Sequence, residues 1–180
     1  MKRFLGIIFL SLVLFFCEDK VSVNKLKSDI QLDTSKADNI IKTSRIQLIK
    51  DNRVTAIIYA KVIKNFEKNL IFADSGLKIY FLNSENDTVS TLTSEKGFIY
   101  PTSNNMEASG NVIVNNGDSL FLYTNKLLWD NKKEKIYTND TVTIVRKDGF
   151  LKGVGFEANA NLTEYKFKKV YAKTNKKRDR

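Results

Sequence analysis

The sequence predicts an all-β fold of stacked antiparallel strands, and three observations lead to it. From about Arg45 to Ala172, apolar and polar side chains alternate with period two in short runs. Clusters of Asn, Asp, Gly and Lys separate the runs, and beyond the first sixteen residues no long window repeats at 3.6 residues as an amphipathic helix would. The chain has 180 residues, 42% of them hydrophobic, with eight Gly and one Pro, the composition of one folded domain of ordinary size.

The N-terminus has its own logic. Lys2 and Arg3 precede an uninterrupted apolar run, Phe4 to Phe16, which Cys17, Glu18 and Asp19 follow. That is the plan of a secretory signal. As a helix the run would be roughly 20 Å long against a hydrocarbon core of ~30 Å, so a cleaved signal peptide over 1–16 fits better than a permanent span. Leu14-Phe15-Phe16-Cys17 resembles a bacterial lipobox, although Phe16 stands where a small residue is usual. Cys17 is therefore the expected site of lipid attachment. An uncleaved anchor, an ordinary soluble secreted form and an incidental apolar cysteine are the alternatives. Residues 17–44 read as the lipidated N-terminus and a polar tether that adds at most a short strand, 45–172 as the β-domain, and 173–180 as a basic tail.

Within the domain the expected runs are Val54–Ile63, Leu77–Leu82, Val89–Thr93, Gly97–Tyr100, Asn111–Val114, Ser119–Leu128, Lys135–Tyr137, Thr141–Arg146, Val154–Ala158 and Tyr165–Ala172. Turns are expected at 115–118, 130–133, 139–140 and 147–149, where Asn, Asp and Gly tolerate tight or left-handed backbone. Leu77-x-Ile79-x-Phe81 is echoed by Val112-x-Val114 and Val142-x-Ile144, a loose repeat of about thirty residues. Such units cannot bury an apolar face singly, so stacking them would give one sheet with a continuous interior. A β-sandwich with strands of similar length explains the periodicity equally well.

Two runs carry apolar groups on both faces. Leu120, Leu122 and Leu128 oppose Phe121, Tyr123 and Leu127, and Val54, Ile58 and Val62 oppose Ile57, Tyr59 and Ile63. One-sided burial does not require this; the second face is either covered by the tether or by sandwich packing, or is surface that a ligand or partner uses.

Chemistry is scarce. Histidine is absent and Cys17 is the sole cysteine, which excludes His-based acid/base catalysis, Cys–His nucleophiles, internal disulfides and Zn sites of the usual type. Asp118, Asp130, Asp140, Asp148 and Glu157 are best explained by turns and solubility, and Gly153-x-Gly155 by a bulge or close backbone approach, since no helix follows it as in a phosphate loop. We expect no enzyme, no cofactor and no metal. The net charge is +10, and loss of residues 1–16 removes Lys2, Arg3 and no acid, leaving +8. Such a field favours anionic membrane surfaces or phosphorylated lipids, and secretion sets nucleic acid aside as a partner.

The stretch Met106 to Val170 resembles the lipopolysaccharide-export periplasmic component LptC and its OstA-like relatives. The resemblance rests on Ala108-x-Gly110-Asn111-Val112, Leu128-Trp129-Asp130, Ile136-Tyr137-Thr138-Asn139-Asp140 and Leu151-x-Gly153-x-Gly155-Phe156-Glu157-Ala158-Asn159, and reaches back more faintly to about Val54. Many relatives keep one membrane-spanning helix where this chain has its lipobox-like site. The resemblance implies a twisted, V-shaped β-jellyroll whose apolar interior accepts acyl chains. Lipopolysaccharide or a related glycolipid would come from an inner-membrane ABC transporter and pass to a periplasmic bridge protein of the same fold by edge-to-edge strand pairing. The chain would sit in the periplasm, anchored to the inner membrane by its N-terminal lipid.

Period two puts Val112, Val114, Leu120, Leu122, Ile136, Val142, Ile144 and Phe156 on one lining, the candidate lipid groove. Tyr165, Phe167 and Tyr171 of the last strand are the candidate partner edge, expected to pack inward while Lys166 and Lys168 face solvent. The competing reading is a membrane-anchored β-domain lipoprotein that binds a protein or glycan and never holds lipid.

Overall fold

The computed structural model describes residues 33–66 and 70–175; Cys17, the apolar run and the end of the basic tail lie outside them. Ten strands follow in chain order: β1 (Asn39–Lys50), β2 (Arg53–Phe66), β3 (Leu70–Leu82), β4 (Thr88–Ser94), β5 (Lys96–Tyr100), β6 (Asn105–Asn115), β7 (Phe121–Asp130), β8 (Lys135–Arg146), β9 (Gly149–Asn159) and β10 (Tyr165–Asn175). All pair antiparallel in a single sheet of order β1-β2-β3-β4-β6-β7-β8-β9-β10, with β5 joining β3 to β6. The fold is all-β, as the alternation predicts, and jellyroll-like, as the resemblance implies.

Three local expectations change. The sheet begins at Asn39, inside the stretch assigned to the tether, because β1 pairs with β2 from Asn39↔Asn65 to Lys50↔Arg53. Its pattern is blurred: Ile40, Ile41 and Ile49 are exposed on an edge strand that buries only Leu48 fully. β10 runs past Ala172 to Asn175. Asn139-Asp140 is no turn; β8 continues through it with a register shift between Thr138 and Thr141. Asp140 N–H donates to Thr138 Oγ1 at 3.0 Å, so the side chain supplies locally what the ladder omits.

That bulge belongs to a seam crossing the whole sheet. Register shifts occur between Ala60 and Val62, Ser109 and Val112, Tyr123 and Leu128, and Thr138 and Thr141. Left-handed backbone stands on the same line at Ser75 (φ 62°), Gly76 (φ 109°), Gly110 (φ 78°), Asn111 (φ 46°) and Gly155 (φ 66°). Between β4 and β5 the chain steps through Glu95, which accepts from Gly76 N–H at 2.8 Å and donates to the Gly110 carbonyl at 3.0 Å. Bulges bend the strand that carries them, so a row of bulges bends the sheet. Each long strand is thereby divided between two arms. Arm I carries the β1–β2, β3–β4, β6–β7 and β8–β9 turns, and arm II carries the β2–β3, β5–β6, β7–β8 and β9–β10 turns.

The arms face one another across the core. Phe81 of arm I lies against Trp129 of arm II, ring centroids 4.9 Å apart, although β3 and β7 are not sheet neighbours. The echoed triplet Leu77-x-Ile79-x-Phe81, Val112-x-Val114 and Val142-x-Ile144 is buried and lies on the arm I lining, which is why it recurs.

Candidate functional site

The eight groove candidates share one interior. Val112, Val114, Leu120, Leu122, Ile136, Val142, Ile144 and Phe156 all belong to a single buried cluster, the most exposed of them Leu120 at 8%. The same cluster adds Ile58, Ile79, Phe81 and Leu92 from arm I and Leu127 and Trp129 from arm II. Most of these lie in runs whose parity the sequence already displays. Leu162 does not: it sits in the β9–β10 loop with φ 58°, yet is 1% exposed, and loop composition gives no sign of that.

The interior is filled. A cavity of about 10 Å³ remains among Ile79, Phe81, Leu92, Met106, Leu127 and Trp129, room for roughly one water-sized sphere, and apolar walls keep such a void dry. Ser44 Oγ is enclosed without a partner, whereas other buried polar groups are locally satisfied. Thr55 Oγ1 donates to the Leu48 carbonyl at 3.3 Å, Ser94 Oγ to the Lys96 carbonyl at 3.1 Å, and Trp129 Nε1 to Asn131 Oδ1 at 3.4 Å. No buried residue of the core is charged among the described residues.

The mouth, where the turns of the two arms meet, is held by side chains and not by a strand ladder. Lys50 Nζ reaches Glu134 Oε1 at 2.7 Å and Arg53 Nη2 the same oxygen at 3.4 Å. Ser90 Oγ donates to the Ala160 carbonyl at 2.5 Å, Asn116 Nδ2 to the Asn161 carbonyl at 3.4 Å, and Arg146 Nη1 to Tyr165 Oη at 3.1 Å. Between these clasps a cavity of about 270 Å³ opens beside Arg53, Asn83, Val89, Trp129, Glu134 and Asn159. Trp129 lines both this cavity and the void at the centre, so the mouth leads to the core through one side chain.

β10 is an end strand of the sheet, pairing with β9 alone among the described residues. Tyr165 and Phe167 pack inward on Phe156, with centroids 5.9 and 5.1 Å apart. Tyr171 does not: it is 56% exposed, because the seam changes the parity of β10 between Phe167, which pairs with inward Phe156, and Val170, which pairs with inward Gly153. Lys166 and Lys168 are exposed as expected; Lys166 pairs with Glu157 at 3.2 Å and Lys168 Nζ donates to Asn139 Oδ1 at 2.9 Å. The hydrogen bond from Lys166, joined by Lys135, holds the Glu157 carboxyl below its ordinary value.

A family model described as lipopolysaccharide-assembly, LptC-related, matches residues 5–172. This chain belongs to the LptC family. Membership places it in lipopolysaccharide transport, among components that bridge and carry without a known catalytic step, and LptC proteins work in the periplasm in association with the inner membrane. No curated protein matches the chain. Among the described residues no helix is long and apolar enough to cross a membrane, and no group of three metal-ligating side chains converges.

Proposed function

We propose that this LptC chain receives the acyl chains of lipopolysaccharide, or of a related glycolipid, between its two arms and passes them along a bridge of like folds. The observation that carries the reading is an apolar interior, continuous across both arms and clasped at the mouth by polar side-chain contacts. Each CH₂ exposed to water costs about 0.8 kcal/mol, so a dozen exposed groups would cost about 10 kcal/mol, and a carrier needs a dry path. With the interior filled, lipid enters by parting the arms and replacing the contacts that Phe81 and Trp129 make with each other. The two end strands of the sheet suit opposite neighbours: β10 offers the next bridge protein an unpaired edge, and β1 leaves another for the ABC transporter that supplies lipid. Acylation at Cys17 would hold the domain at the inner membrane.

A photo-crosslinking residue at Val89, which lines the mouth cavity where there is room for it, tests lipid entry in living cells. Capture of glycolipid from Val89, and none from the outward-facing Leu128, is the expected result. Capture of protein or glycan alone would favour the competing reading instead.

A further inference from the structure

The outer face of arm I differs from that of arm II in a way lipid carriage does not use. Cross-strand register traces two continuous rows over it, one from Gln47 through Ile57, Tyr80, Phe121 and Val145 to Phe150 and Thr174, the other from Arg45 through Tyr59, Lys78, Tyr123 and Lys152 to Ala172. Neither row contains an aspartate or glutamate. Tyr59, Tyr123, Val145 and Phe150 are between 38% and 43% exposed. Arg45, Lys78 and Lys152 are exposed and make no ion pair among the described residues. Lys78 Nζ lies 4.9 Å from the Tyr80 ring centroid, and Arg45 Nε donates to Tyr59 Oη at 3.2 Å, so the cations are held among the aromatic rings. Near β10 the face deepens to an open cleft of about 810 Å³ lined by Val145, Phe150, Lys147 and Lys152. Arm II is built otherwise: Glu107, Glu157 and Asp74 on its outer face are each paired with a lysine, at 2.9 to 3.5 Å.

We infer that the outer face of arm I docks on a bilayer surface of anionic phospholipid. Amphipathic tyrosines and half-exposed apolar groups suit the headgroup boundary, and unpaired cations suit phosphate. The charge complements such a surface along the whole face, whose two rows hold no acid, whereas on arm II acids neutralise the lysines they pair with and leave Lys42 and Lys96 as scattered unpaired cations among the described residues. Reach agrees: β1, which carries Arg45, is the strand nearest in sequence to the N-terminal apolar run, and the chain between Phe16 and Asn39 spans at most about 80 Å fully extended. Docked this way, the sheet would lie against the bilayer and turn its mouth along the membrane plane.

The test uses the full chain reconstituted into vesicles whose lipids carry brominated acyl chains, made of phosphatidylcholine with or without phosphatidylglycerol. Phe150→Trp and Phe98→Trp place an aromatic reporter on arm I and arm II respectively, and the wild type, whose one tryptophan is the core residue Trp129, gives the baseline subtracted from both. Quenching of the Phe150→Trp emission only in vesicles containing phosphatidylglycerol, relieved by salt, is expected. Adding Lys78→Glu or Lys152→Glu should weaken it about five-fold or more per charge reversed. Equal quenching in neutral vesicles, equal quenching of Phe98→Trp, or no quenching at Phe150→Trp would each overturn the inference. An emission change at Phe150→Trp that follows protein density and ignores lipid composition would assign the face to a second copy of the chain and overturn it too.

Discussion

Gly97 shows how little room the seam leaves. A Cβ there would meet the Glu107 carbonyl at 2.6 Å and Leu77 Cδ2 at 2.7 Å, one backbone and the other core. Gly97→Val should destabilise by about 1–3 kcal/mol through overpacking, read as a fall in denaturant midpoint with unchanged slope. Glu157 gives a pH-dependent counterpart. Its carboxyl titrates below the ordinary 4.5 because Lys166 and Lys135 favour the charged form. The pair therefore contributes stability above about pH 4.5 and loses it as pH falls through the folded-state value. The side chain is 36% exposed, so screening keeps the contribution to about 0.5 kcal/mol. Glu157→Gln should unfold slightly earlier than wild type at pH 7 and indistinguishably near pH 3; a constant difference across that range would contradict the assignment.

At the scale of elements, β10 owes its place to two side chains. Tyr165 and Phe167 cover Phe156, while Lys169–Thr174, beyond the seam, is exposed apart from Ala172. Deleting residues 169–180 should leave the thermal transition within a few degrees of wild type and abolish capture of the next bridge protein. Retained capture would move the docking edge elsewhere. The strands legible in the sequence were those with one buried face and a firm alternation, such as Val142-x-Ile144. β1 was obscure because an edge strand buries too little to enforce a pattern, and Asn139-Asp140 misled because a bulge and a turn draw on the same residue types. The groove candidates were legible as a shared lining. That the lining meets its opposite wall was not, since contacts such as Phe81 with Trp129 depend on the fold of the sheet and leave no local trace.

For the whole molecule, closure of the mouth is a balance among a few polar contacts. Glu134 serves two cations and Ser90 one carbonyl. The double variant Ser90→Ala/Glu134→Ala should keep its far-ultraviolet dichroism yet make Trp129 several-fold more accessible to acrylamide. Unchanged quenching would place the barrier to opening in apolar contact alone.

Because the seam already interrupts the ladder at one level in strand after strand, the two arms can swing about it as covers swing about a spine. No main-chain bond of either arm has to break for that. Amide hydrogens on both arms should then exchange slowly whether the carrier is empty or loaded, and the change on loading should concentrate at the seam and the clasped turns. A molecule built so would admit acyl chains in the way proposed while remaining, by the measure of proton exchange, continuously folded.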